Sequence, residues 1–201
     1  RVLDGAGVKL PSITGAKSPK KDDNAHAVQD YSGASFANQD LPKANFASSF
    51  VSNAQFNSAL LDGASLEGAT GETVNFKGAR MAKPILNSSM FPFSDFSGAY
   101  IPEAKARAGD FTGALFVDAD ISFASFAGAK LAKANFRAAY GAGASFTGAD
   151  AAGAHFEGAD LTGVRFTSAI LDKAAFAGAN LKAAKFDGAK LYGADLSAAV
   201  N

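Results

Sequence analysis

The chain has 201 residues with no cysteine and no tryptophan, and its 19 Lys and Arg balance its 19 Asp and Glu. Without cysteine there is no disulfide framework, thiolate metal site or cysteine nucleophile, and redox chemistry marks no compartment. Zero net charge removes the electrostatic case for a nucleic-acid or anionic-membrane partner, and no run of about 18 apolar residues is present to cross a membrane.

Residues 1–30, "RVLDGAGVKLPSITGAKSPKKDDNAHAVQD", carry no period. The start at Arg1 shows neither an initiator Met nor the apolar core of a signal peptide, so the chain reads as processed or trimmed. The charged run Ser18 to Asp23 is expected to be solvated, and part of the segment to fold as a cap over the neighbouring part of the chain.

From Tyr31 a period of five sets in. Stepping by five reaches Phe36, Leu41, Phe46 and Val51 and continues to Leu196, which makes 34 consecutive pentapeptides without a slip. Fifteen of the 18 Phe fall on this one class of position, here called the centre. The residue two before the centre is Ala in 25 of the 34 units and the residue two after is Gly in 15, so a unit reads Ala, polar, Phe or Leu, polar, Gly.

A helix does not accommodate this. At roughly 100° per residue a five-residue step turns about 140°, so the Phe would spiral around the whole surface. A flat strand fails as well, because an odd step alternates the Phe between two faces. What keeps every fifth residue inside is a chain that turns a corner once per pentapeptide and stacks on itself as a solenoid.

The stretch "AKLAKANFRAAYGAGASFTGADAAGAHFEGADLTGVRF" resembles the pentapeptide-repeat family, whose motif is A(D/N)LXX with Leu or Phe central. The resemblance covers residues 31–200. It implies an all-β fold, a right-handed quadrilateral parallel β-helix with four pentapeptides per coil and about eight coils. Residues 1–30 are then a nonrepeating N-terminal segment or cap, and 31–201 the β-helix.

The sequence supports a 20-residue coil. Phe36, Phe56, Phe76, Phe96, Phe116, Phe136, Phe156 and Phe176 form one unbroken column at that spacing, and the opposite column runs from Phe46 to Phe186. Coils about 4.8 Å apart give a rod on the order of 40 Å long. The inward Ala leaves room for four central side chains per coil. Short polar residues before the centre, such as Asn45, Asn75, Asn135, Asp150, Asp160 and Asn180, suit corner turns, where they bond nearby backbone groups.

The pattern weakens at Gly71, Ala106, Gly141 and Ala151, undersized centres where the interior should be thin or locally repacked. Between Met81 and Asp110 the Ala gives way to Pro84, Ser89, Ser94 and Gly109, and Pro92 and Pro102 enter; proline belongs at corners or bulges. At the C-terminus the repeat runs through Leu196 to Asn201 with no cap, so the chain continues, or a partner or second copy covers that end by end-to-end association.

Catalytic chemistry has nothing to build on. His26 lies in the N-terminal segment and His155 at an outward position, neither with a nucleophile or second ligand at motif spacing, so no catalytic residue, metal site or cofactor is expected. Asn87-Ser88-Ser89 fits a glycosylation sequon. The surface is more informative. Leu60, Tyr100, Phe123 and Tyr140 share one face, and Phe50, Met90 and Phe93 lie on another. These read as protein-contact sites or as side chains packed under bulged corners.

The expected function is that of a non-catalytic structural or interaction protein, a rigid rod docking to a larger assembly without binding nucleic acid or inserting in a membrane. The resemblance also brings the DNA mimicry by which some bacterial members inhibit or protect topoisomerases. That mechanism needs a strongly acidic surface, whereas residues 31–201 carry 14 basic and 15 acidic residues, which disfavours it. A neutral chain with a nonrepeating lead and a start such as "DYSGASFANQDLPKANF" is also similar to the thylakoid-lumen members of chloroplasts and cyanobacteria, although those often carry cysteines. This similarity implies a thylakoid-lumen location and a photosystem-associated partner complex, contacted from the lumenal side.

Overall fold

The computed structural model describes residues 28–200, a stack of four-sided coils. The segment expected to cap the first coil lies, up to residue 27, outside the described residues. Each side of a coil is one pentapeptide. The residue just before each centre pairs with the residue twenty further on in a parallel bridge, from Asp30 with Phe50 to Asn180 with Val200, with no break in register. The fold is the all-β, right-handed quadrilateral parallel β-helix expected from the repeat. Its sides contribute single bridged residues rather than long strands, because two of every five residues lie in the corner.

At most corners the centre's carbonyl accepts the N–H three residues on, as Phe146 accepts from Ala149 at 3.0 Å. The residue two after the centre has positive φ at every corner: fifteen glycines at 63 to 72° and nineteen other residues at 53 to 59°. Positive φ at the third position of a turn is the mark of type II geometry, which explains why Gly recurs there. Each of the others costs on the order of 1 kcal/mol of backbone strain, against roughly 1.5 to 3 kcal/mol from burying one large apolar centre.

The four sides are named here by their centres: first (31, 51 and so on), second (36, 56), third (41, 61) and fourth (46, 66). First and third are opposite, as are second and fourth. The second side carries the Phe column, whose rings stack at 4.6 to 5.1 Å within 13° of parallel. The fourth-side rings meet them edge to face, as Phe146 meets Phe136 at 5.5 Å and 86°. Stacking along the rod and T-shaped contact across it are the two arrangements that aromatic quadrupoles favour.

The undersized centre at Gly71 is filled by its neighbours, and the small residue Gly109 makes room for a ring. A Cβ at Gly71 would stand 2.8 Å from Cγ2 of both Val51 and Val74, so Val74, in place of the usual Ala, occupies that space. Val74 then makes no turn bond to Gly71. Its N–H donates instead to the buried hydroxyl of Ser94, one coil on, at 3.0 Å. At Gly109 the missing Cβ leaves room for the Phe111 ring, whose Cε2 would be 2.5 Å away.

Pro92 and Pro102 sit at the second position of their turns, where a fixed φ near −65° fits, and Pro84 sits at the position just after the turn's third residue, Lys83. Bridges run unbroken past all three, so these are corners and not bulges. Asn45, Asn75, Asn135, Asp150, Asp160 and Asn180 each accept, through Oδ1, the N–H two residues on, at 3.0 to 3.2 Å. They differ from expectation in place: they sit in the bridge at the start of a side and reach forward to satisfy the corner.

Candidate protein-contact surfaces

His26 lies outside the described residues. His155 Nδ1 stands 3.0 Å from Glu157 Oε1, which also accepts from Arg137 Nη2 at 2.7 Å. Burial pushes the Glu157 carboxyl up, but bonds from Arg137, its own backbone amide and His155 outweigh this and hold it down at about 2. Arg137 and Glu157 form an ion pair tying adjacent coils, with His155 beside the carboxylate. Among the described residues no group of three or more His, Asp or Glu could hold a metal ion, and no helix is long and apolar enough to cross a membrane. The sequon is closed off: Ser89 is fully buried with its hydroxyl on the Leu86 carbonyl at 2.8 Å, and Asn87 Oδ1 accepts the Arg107 N–H at 3.1 Å.

The third side carries the first aromatic surface. Leu60, Arg80, Tyr100, Asp120 and Tyr140 succeed one another in consecutive bridges, one per coil. The Arg80 guanidinium sits 5.4 Å from the centroid of the Tyr100 ring and is held by Asp62 Oδ2, 2.9 Å from Nε. Burial raises the Asp62 carboxyl, and the Ala82 amide together with Arg80 more than reverses it, so its pKa falls below the ordinary value. Phe123 stands at the corner of the coil that holds Asp120. A Cβ at Gly143, twenty residues on, would meet Phe123 Cδ1 and Cε1 at 2.7 Å, so the ring rests against the next coil where the glycine leaves space.

The second surface is on the opposite, first side. Phe50, Thr70 and Met90 succeed one another in bridges, and Phe93 occupies the corner three residues after Met90. Its ring repeats the Phe123 arrangement, with Cδ1 and Cε1 each 2.7 Å from where a Cβ at Gly113 would be. The sequence reading missed Leu115, exposed two residues beyond Gly113. The signal was available, since Leu115 occupies the same class of position, one before a centre, as Leu60, Tyr100 and Met90.

All seven expected contact residues are exposed: Phe123 by 68%, Phe93 by 61%, Tyr140 by 60%, and Phe50, Met90, Leu60 and Tyr100 by 42 to 51%. They fall on two opposite surfaces, and neither carries charge of one sign. Ion pairs Arg80 with Asp62 and Lys83 with Glu103 lie on the third side, and Lys130 with Asp110 on the first.

The family model for pentapeptide repeats matches in eight copies, over residues 52–83, 94–131, 119–158 and 159–197. The chain belongs to the pentapeptide-repeat family. No curated relative matches the sequence. Among solved structures this pentapeptide-repeat protein is similar to a trypsin-treated variant of QnrB1, a plasmid-mediated fluoroquinolone resistance protein, at 22% identity and TM-score 0.55, over 78% of this chain and 89% of that one. HetL, involved in heterocyst differentiation regulation in the cyanobacterium Nostoc, is 19% identical with TM-score 0.32, over 85% and 87%. A thylakoid-lumen protein of Arabidopsis thaliana is 24% identical with TM-score 0.27, over 65% and 67%. The QnrB1 likeness supports the fold; the other two do not superpose closely enough to bear on this chain.

Proposed function

We propose that this pentapeptide-repeat protein is a non-catalytic interaction protein, a rigid rod that docks to a larger assembly through its two aromatic side surfaces. The observation that carries this is the state of Phe93 and Phe123. Both are bulky aromatics held at positive φ, +56° and +58°, and both are largely exposed. Left-handed backbone is costly for a large side chain, and an apolar ring in water gives up its burial energy. Two local rules broken together, at corners where a polar residue or Gly would serve, support reading both as contact positions.

The test replaces both rings with serine. The double variant Phe93→Ser, Phe123→Ser should keep the thermal midpoint of the parent within a few degrees and lose retention of the partner from extracts of the source. Unchanged retention would remove these surfaces from the function.

The assembly we infer is a photosynthetic membrane complex met on its lumenal side, on the similarity of the residues from Asp30 to Phe46 to lumenal members of the family. Recovery of the protein with washed thylakoid lumen contents supports this, and its exclusion from that fraction overturns it. Among the described residues the DNA-mimic reading has no matching surface, since charges on the sides are mixed and several are paired.

A further inference from the structure

Resting on the reading of the third side as a contact surface, we propose that Tyr100, Asp120 and Tyr140 form a slot for one arginine or lysine side chain of a protein partner. The bridges place Tyr100 beside Asp120 and Asp120 beside Tyr140, so the carboxylate lies at the level midway between the two rings. At about 4.8 Å per coil the tyrosines stand roughly 10 Å apart. A planar cation midway is about 5 Å from each ring, inside the roughly 6 Å over which a ring face attracts a cation.

The column already holds one such pairing. Arg80 lies over the Tyr100 ring at 5.4 Å from the coil before, showing that this ring presents a face along the rod to a guanidinium. The slot on the other side of Tyr100 offers the opposite face of the ring together with a carboxylate. Charge complementarity fixes the occupant. Arg80 is matched by Asp62 and Lys83 by Glu103, whereas no cation of the described residues lies within ion-pair distance of Asp120. Asp120 Oδ1 accepts the Ser122 N–H at 2.9 Å, which fixes the side chain, and among the described residues Oδ2 has no donor and is not buried.

Asp160, two coils further along the column, shows the contrast. Its Oδ1 accepts from Thr162 N–H, Thr162 Oγ1 and Asn180 Nδ2, at 3.1, 2.7 and 3.1 Å, so its charge is met internally. Asp120 is thus a carboxylate of this column left for an outside cation, and unlike Asp40, which is bridged to Leu60, it lies between the two exposed tyrosines.

The experiment is an NMR titration of the labelled full chain with acetyl-Gly-Arg-Gly-amide, and in parallel with acetyl-Gly-Gln-Gly-amide. The slot predicts saturable shifts at Tyr100, Asp120, Ser122 and Tyr140 with the arginine peptide and none with the glutamine peptide. Asp120→Asn, which keeps the Ser122 bond, should weaken the effect roughly fivefold, and Tyr140→Ala should do likewise. Equal shifts with both peptides, shifts elsewhere on the rod, or an undiminished response in Asp120→Asn overturns the slot. Because the probe is a free peptide, the outcome does not depend on whether the docking partner is found.

Discussion

The ring of Phe123 occupies the space beside Gly143 that any other residue's Cβ would need, with two ring carbons 2.7 Å from that point. The pair joins a corner of one coil to the same corner of the next. Phe93 and Gly113 repeat it at the diagonally opposite edge, thirty residues earlier.

This relationship separates two costs at glycine. Gly148 has positive φ and open space around its missing Cβ, so Gly148→Ala measures backbone strain alone, about 1 kcal/mol. Gly143→Ala adds displacement of the Phe123 ring and should cost about 2 kcal/mol or more. In a Phe123→Ala background the two alanine substitutions should converge, as read by urea denaturation. Equal costs in the parent background would show that the ring does not rest on Gly143.

Phe136 is fully buried, stacked 4.7 Å from Phe116 and 5.0 Å from Phe156 and touching Phe126 and Phe146 edge to face. Phe136→Ala should lower unfolding free energy by about 3 to 5 kcal/mol through lost burial and a cavity that stacked coils cannot close. A loss under about 1 kcal/mol contradicts the aromatic column.

Ser94→Ala restores the residue usual at its position, yet it should destabilise by about 1 to 3 kcal/mol, since Val74 N–H would lose its acceptor inside the rod. Ser89→Ala is the control. The Ser89 hydroxyl donates to the Leu86 carbonyl, which the Ser89 N–H also reaches at 3.2 Å, so its removal strands no buried donor and should be close to neutral. Equal effects would mean that Val74 finds another partner.

Acid should weaken the Glu157 cluster. Its folded pKa of about 2 is below the ordinary 4.5, so its contribution is fully present above pH 4.5 and is lost as pH falls from there through about 2. The pair is open to solvent on the Arg137 side, so water screens it and keeps the contribution small. Unfolding free energy against pH should therefore fall less steeply over that window in Glu157→Gln than in the parent; parallel curves would remove the cluster from acid sensitivity.

The coil length, the Phe columns and the forward bonds of residues such as Asn135 and Asp160 were legible because they repeat at five or twenty residues, and periodicity is what a sequence displays most openly. The partners at single places were harder to see. Val74 bonding Ser94, Arg80 covering Tyr100 and Phe123 resting on Gly143 all join residues twenty apart, visible only once the coil register is known. The positive φ at corners occupied by Lys, Phe or Ala was hidden for another reason. There the repeating fold overrides local preference, and only the fifteen glycines record the conformation in the sequence.

The most direct test of docking through the aromatic sides is crosslinking mass spectrometry on the native protein purified with its partner. Lys83 and Lys105 border the third-side surface and Lys130 lies on the first side. Crosslinks from these lysines to subunits of one membrane complex are the expected result. An absence of crosslinks from these three lysines, or recovery with topoisomerase subunits instead, would contradict docking through these sides.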